Sequence, residues 1–303
     1  MEGLCCIILN YNDASTVISL AGELEESSCL TDLVIVDNCS RDDSWERLQA
    51  FKSGLKDPRV PIHLVKTKEN GGYGMGNQAG IDYAMEHLDP DFIIIANPDI
   101  HVGDRCILRI KEALKSSEKA AAVSAMVMRP DGTKDISFWP LLPWWKELFD
   151  TGLITRRLFK RWLQVPLRAL PIDPESKCRL AGAVPGSFFM IKMSCFQGQE
   201  ESRLFDPQVF LYCEEKILGQ KLKKRGLSVI LAEDESYVHA HSVSIDKSVS
   251  SIGAKQKLLH ESKLYYMRDY LQAGRVKMAA SRVFLTAVLL EVRFLTGVLR
   301  MRW

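Results

Sequence analysis

The sequence predicts an α/β fold, a mostly parallel sheet flanked by helices, on two observations. Over the first 130 residues, short apolar runs of strand length alternate with polar segments long enough for crossover helices. Each early run also empties into a loop rich in Asn, Asp, Ser and Gly, the composition of a βα turn. Parallel neighbours joined by a helix take right-handed crossovers, which puts helices on both faces.

The elements follow in order. Residues 4–9 (LCCIIL), 33–36 (LVIV), 62–65 (IHLV), 92–96 (FIIIA) and 121–127 (AAVSAMV) have the length and β-branched content of buried strands. Helices are expected over 15–26, 44–51, 76–87 and 105–116. Beyond Pro130 the texture changes. Residues 138–171 set Trp139, Trp144, Trp145 and Trp162 among Lys146, Arg156, Arg157, Lys160, Arg161 and Arg168. That pattern suits a bilayer interface or a lid, and equally a helix that packs its tryptophans on the core. Residues 181–193 read as turn plus strand, 213–225 as a helix stopped by Gly226, and 227–231 as a short strand. Residues 255–303 read as helical throughout, with Arg275, Lys277, Arg282, Arg293, Arg300 and Arg302 breaking an apolar face.

Composition narrows the function. At 303 residues and 47% hydrophobic content the chain can bury a large core. Lys+Arg 40 against Asp+Glu 38 leaves a net charge of +2, which gives no global attraction to nucleic acid. Eight cysteines without CxxC spacing, several inside apolar runs, point to small buried side chains in a reduced cytosol. No apolar stretch is long enough to span a bilayer, and no signal peptide is read at the start.

In open parallel sheets ligands sit at the carboxyl ends of the strands. There the chain places Asn10, Tyr11, Asn12 and Asp13, then Asp37, Asn38, Cys39 and Ser40, then Asn70 to Gly74, then Asn97, Pro98 and Asp99. Turn chemistry explains each loop alone, but four on one sheet edge suggest a site. Gly74, Gly76 and Ala79 fit a relaxed GxGxxA, yet they follow the third strand, whereas the dinucleotide fingerprint belongs on the first βα turn. The glycines offer close backbone approach to a base, ribose or phosphate. Asp37 can accept the N3–H that uracil and thymine both present. Asp13 and Ser15 suit a helix start. Glu214 and Glu215 open a helix, where the dipole favours negative charge, but the apolar FLYC run before them would deliver them to a pocket wall.

The ordered set LNYN, VDNCSRDDS, NGGYGMGNQAG, IIIANPDI, GSFFMIK, FDPQVFLYCEEKILGQKLKKRG and VHAHSVSIDKS resembles glycosyltransferase family 2 over residues 4 to about 248. The match is nearest the rhamnosyltransferase branch that makes capsular or cell-wall polysaccharide. The resemblance implies a GT-A fold with a nucleotide-sugar-binding half at 1–130, an acceptor-binding and catalytic half at 131–248, and a helical extension at 249–303. By similarity Asn10, Asn12, Asp37, Asn70, Gly71, Asn77 and Asn97 would line the nucleotide. Asp99, last in an NPD version of the family's acidic element, would hold Mg²⁺ or Mn²⁺, with His241 favoured over His239 as a second ligand. Glu215, second of the acidic pair with Glu214, would be the catalytic base. Ile217 stands where many relatives carry another acid. The implied reaction moves a sugar from a UDP- or dTDP-sugar to a saccharide on a polyprenyl diphosphate, at the cytoplasmic face of the membrane. A homodimer is compatible with the pattern. The rival readings are a non-catalytic nucleotide-sugar-binding or scaffold protein of the same fold and a nicotinamide oxidoreductase.

Overall fold

The computed structural model describes residues 2–196, 203–240 and 252–297. Strands β1 (Leu4–Asn10), β2 (Asp32–Asp37), β3 (Ile62–Lys66) and β4 (Phe92–Ala96) pair in parallel in the order β3-β2-β1-β4. The helices between them are α1 (Ala14–Leu24), α2 (Ser44–Gly54) and α3 (Gly72–His87). The strand interiors of β1, β2 and β4 are buried on both faces, which is why they read as unbroken apolar runs and not as alternating ones.

The fourth and fifth expected strands are not neighbours. After β5 (Ile100–His101) and α4 (Asp104–Ser116), strand β6 (Ala120–Met128) lies beyond β8 (Phe188–Lys192). β8 runs antiparallel to both β4 and β6 and joins the two halves of the sequence into one sheet. Strand β9 (Ser228–His239) follows, parallel to β6, and carries β7 (Arg179–Ala181) and β5 along its other edge.

β9 extends well past the 227–231 expected. Its acidic middle interrupts the apolar pattern, and a register shift between Ala125 and Met126 of β6 absorbs it. There Glu233, Asp234 and Glu235 pair with Arg179, Arg109 and Arg105. This long strand brings His239 beside Ile100, at the carboxyl edge of the sheet.

The segment after β6 forms α5 (Trp144–Thr151), α6 (Leu153–Leu158) and α7 (Lys160–Leu163). Its tryptophans divide: Trp144 donates to Ser281 Oγ at 2.9 Å, whereas Trp145 and Trp162 are exposed. α8 (Glu214–Lys224) falls within the expected helix. The tail is not helical throughout. α9 (Ile252–Tyr265) runs into a π-helical turn, Tyr266–Tyr270, and residues 271–274 separate it from α10 (Arg275–Gly297). Tyr265 and Tyr270 both donate to Asp206 Oδ2, at 2.8 and 2.5 Å, which fixes that break. All eight cysteines are free. Among the described residues no helix is long and apolar enough to cross a membrane.

Candidate functional site

A cleft of about 870 Å³ opens where the carboxyl ends of the strands meet the later helices. One wall is made of strand-end loops and includes Tyr11, Asn38, Asn70, Tyr73, Asn97 and Ser187. Glu214 and Glu215 face it from the head of α8, and α6, α9 and α10 supply Arg156, Lys263 and Val292.

Several of the residues assigned to the nucleotide from sequence are hydrogen-bonded to one another behind the cleft wall. Asn10, fully buried at the end of β1, donates from Nδ2 to Asp37 Oδ1 at 2.7 Å and to Ser40 Oγ at 3.0 Å. Asp37 Oδ2 also accepts the Ser40 amide at 3.2 Å. Asn12, at φ 53°, accepts the Arg41 amide at 2.8 Å. Asp37 has no exposed surface, so its carboxylate here organises the loop after β2.

The helix that carries the glycines starts four residues before the expected position. Glycine-rich starts have weak helix propensity, but Asn70 Oδ1 accepts the Gly72 amide at 2.9 Å and closes the turn. Gly72, at φ 84°, then packs against the Phe210 carbonyl. The earlier start moves Asn77 from the first turn into the helix body. There it is fully buried, donates to Tyr73 O at 3.0 Å, and does not line the cleft. Asn38, given no role from sequence, ties this loop together by donating to Asn70 Oδ1 and Gly72 O at 2.9 and 3.0 Å.

Asn97 and Pro98 line the cleft directly after β4. Asp99 lies one residue further, nearly buried, with Oδ1 at 3.3 Å from His239 Nε2. His241, the histidine favoured from sequence, lies outside the described residues, and among the described ones His239 stands beside Asp99. Adjacent ligands on an octahedral ion at ~2.1 Å stand ~3 Å apart, so the Asp99–His239 pair fits a hard or borderline divalent cation. Among the described residues no cluster of three or more such side chains occurs.

The acidic pair follows two left-handed residues, Tyr212 and Cys213, at φ 74° and 72°. This turn aims the first residues of α8 into the cleft. Glu215 Oε1 accepts the Gly186 amide at 3.3 Å, and Tyr73 donates to the Gly186 carbonyl at 2.5 Å. A Cβ on Gly186 would lie 2.8 Å from Glu215 Oε1 and 2.9 Å from the Tyr73 hydroxyl. Glu214 Oε1 has no hydrogen-bond partner among the described residues. Burial raises both carboxyls above the usual range, and the Glu215 charge adds to the rise at Glu214. Such groups take up protons readily, as a general base requires. Ile217, in place of the family's further acid, is fully buried with Val209, Cys213 and Tyr266, where packing has taken over the position.

Lys216, next to Glu215 on α8, belongs to a group that sequence spacing does not reveal. Lys216 donates to both oxygens of Glu147, at 2.6 and 2.8 Å, and Lys263 donates to Oε1 at 2.5 Å. All three are buried and come from α5, α8 and α9.

Comparisons place this architecture. An N-acetylglucosaminyl-diphospho-decaprenol L-rhamnosyltransferase of Mycobacterium tuberculosis is 30% identical over 211 residues, which cover 65% of this chain and 64% of that protein. The match therefore spans less than two thirds of that relative's length. A low-salt glycan biosynthesis hexosyltransferase, Agl10, of Haloferax volcanii is 22% identical and covers 83% and 71% of the two chains. Among solved structures, a Pyrobaculum calidifontis mannosyltransferase with GDP-Man and Mn²⁺ superposes with a TM-score of 0.59 at 14% identity, covering 98% of this chain and 75% of that one. GalNAc-T7 with UDP, GalNAc and Mn²⁺ gives 0.58 at 13% identity, covering 92% and 51%. These neighbours share the GT-A architecture, the mostly parallel sheet with flanking helices seen here. The model of the family described as "Glycosyl transferase family 2" matches residues 5–162, the span that carries the strand-end loops from Asn10 to Asp99, and the chain belongs to that family.

Proposed function

We propose that this protein is an inverting glycosyltransferase that moves a sugar, rhamnose in the first instance, from a UDP- or dTDP-sugar to a polyprenyl-diphosphate-linked saccharide in bacterial polysaccharide synthesis. The observation that carries this reading is a buried acidic pair at the head of α8, facing strand-end loops across one cleft. The named activity of the M. tuberculosis relative supports both the sugar and the lipid-linked acceptor.

Glu215 takes the proton from the acceptor hydroxyl as its oxygen bonds to the anomeric carbon and the bond to the nucleoside diphosphate breaks. The Gly186 amide holds that carboxylate, and Tyr73 fixes Gly186 through its carbonyl. Asp99 and His239 would hold Mg²⁺ or Mn²⁺, which supplies charge stabilisation to the departing diphosphate. Asn38 and Asn70 shape the nucleotide side, and the loop fixed by Asp37 stands behind it. Reaction at the cytoplasmic face fits the exposed Trp145 and Trp162 and the basic residues near them.

A non-catalytic nucleotide-sugar-binding role is favoured only by the reduced NPD element and by Ile217. A panel of nucleotide sugars, screened for stabilisation with and without Mn²⁺ and for slow donor hydrolysis, decides between them. We expect metal-dependent stabilisation and hydrolysis with a UDP- or dTDP-sugar. Stabilisation without any hydrolysis or transfer would favour the binding role, and stabilisation by NADH alone would overturn the family of readings.

A further inference from the structure

The cations of the cleft are unevenly placed. Among its lining residues they are Arg156, Lys216, Lys255 and Lys263, all on α6, α8 and α9, while the strand-end loops contribute none. At the deep end, one carboxylate, Glu147, serves two ammonium groups. Burial and the neighbouring Lys263 charge depress the Lys216 ammonium, and Glu147 holds Lys263 up against its own burial. A further anion at this point would relieve that repulsion. Arg156, half exposed, pairs with Asp150 at 3.4 Å and places a guanidinium further out along the same wall.

The same helices lead out of the cleft onto apolar surface. α6 turns Leu153 and Arg156 to the cleft and leaves Ile154 and Leu158 exposed, and α10 turns Val292 inward and leaves Leu290 and Phe294 exposed. The two helices are adjacent, since the Ile154 amide donates to Glu291 Oε1 at 2.9 Å, and α5 packs on α10 beside them through Phe149 and Phe284, with ring centroids 5.8 Å apart. A recess in which four cations stand beside Asp150, Glu214 and Glu215 thus continues into an exposed apolar strip.

We infer that this helical wall binds the diphosphate of a lipid-linked acceptor, at Lys216, Lys263, Arg156 and Lys255, with the hydrocarbon chain running out over α6 and α10. The inference rests on the transferase reading of the cleft and adds a second anion site, separate from that of the donor. No covalent step occurs there. The site positions the acceptor so that its sugar hydroxyl meets Glu215.

The test titrates farnesyl diphosphate, inorganic pyrophosphate and farnesol into the full chain, with and without UDP and Mg²⁺. Farnesyl diphosphate is expected to bind equally well in both conditions, more tightly than pyrophosphate, with farnesol weakest. The double variant R156A/K255A should weaken it about tenfold or more while leaving UDP affinity and Tm unchanged. If the double variant does not fold, K255E alone is expected to show the same direction. Displacement of farnesyl diphosphate by UDP would overturn the inference by assigning it to the donor site. Unchanged affinity in the folded variant would overturn it too. Equal binding of pyrophosphate would remove the hydrocarbon contact from it. UDP binding in the same titrations reports separately on the transferase reading: retained UDP binding without a farnesyl diphosphate site sinks only this inference, and absent UDP binding sinks the reading beneath it.

Discussion

Gly72 admits no side chain, since a Cβ there would lie 2.0 Å from the Phe210 carbonyl oxygen and its φ is 84°. G72A should therefore cost about 1–3 kcal/mol or more and lower nucleotide affinity, read as Tm and as UDP binding. Glu214 gives a second prediction. Its native carboxyl binds its proton more tightly than the unfolded one, so from pH 4.5 upward the native state carries the extra proton and stability falls as pH rises. E214Q removes that penalty, and its Tm relative to wild type should climb with pH; a constant difference would contradict the burial argument. These residues show how far single positions were legible. The loops after strands identified Asn10, Asn70, Asn97 and Asp99 as a set, because turn composition repeats on one edge. That Asp37 is sealed by Asn10 and Ser40, and that Asn77 lies inside a helix, depends on hydrogen bonds that spacing does not encode.

At the scale of elements, the Lys216–Glu147–Lys263 group ties α8 to α5 and α9. Removing the shared carboxylate strands two buried cations, so E147A should destabilise by ~3–5 kcal/mol, measured by denaturant unfolding. An effect below ~1 kcal/mol would mean that water reaches the lysines freely. The helix α8 was legible from its acidic start, its basic end and Gly226. The group was not, because its members stand 69 and 116 residues apart in sequence. The same reason hid the full length of β9: three consecutive acids look like a loop until their arginine partners are placed. The tail read as one helix because its apolar spacing barely changes across 266–274, whereas the clamp on Asp206 breaks it.

For the whole molecule, parallel pairing of β1 to β4 was legible because βα repeats permit little else. The insertion of β8 between β4 and β6 was not, since an apolar run does not state its direction. Surface character follows from the tertiary arrangement as well. On α10, Val276, Val283 and Leu290 are 85%, 73% and 59% exposed at seven-residue spacing, beside basic positions. Pelleting with anionic vesicles should be strong at low salt and fall in V283S/L290S without a change in Tm; equal pelleting of the variant would leave this face outside the contact. The central claim is that the two halves of the sequence converge on one cleft, with nucleotide loops on one side and a proton acceptor on the other. Glu215→Gln tests it most directly, with turnover and nucleoside diphosphate affinity measured on the same preparation. Turnover should fall ~10²–10⁴-fold with affinity retained; turnover near that of the wild type would contradict the account.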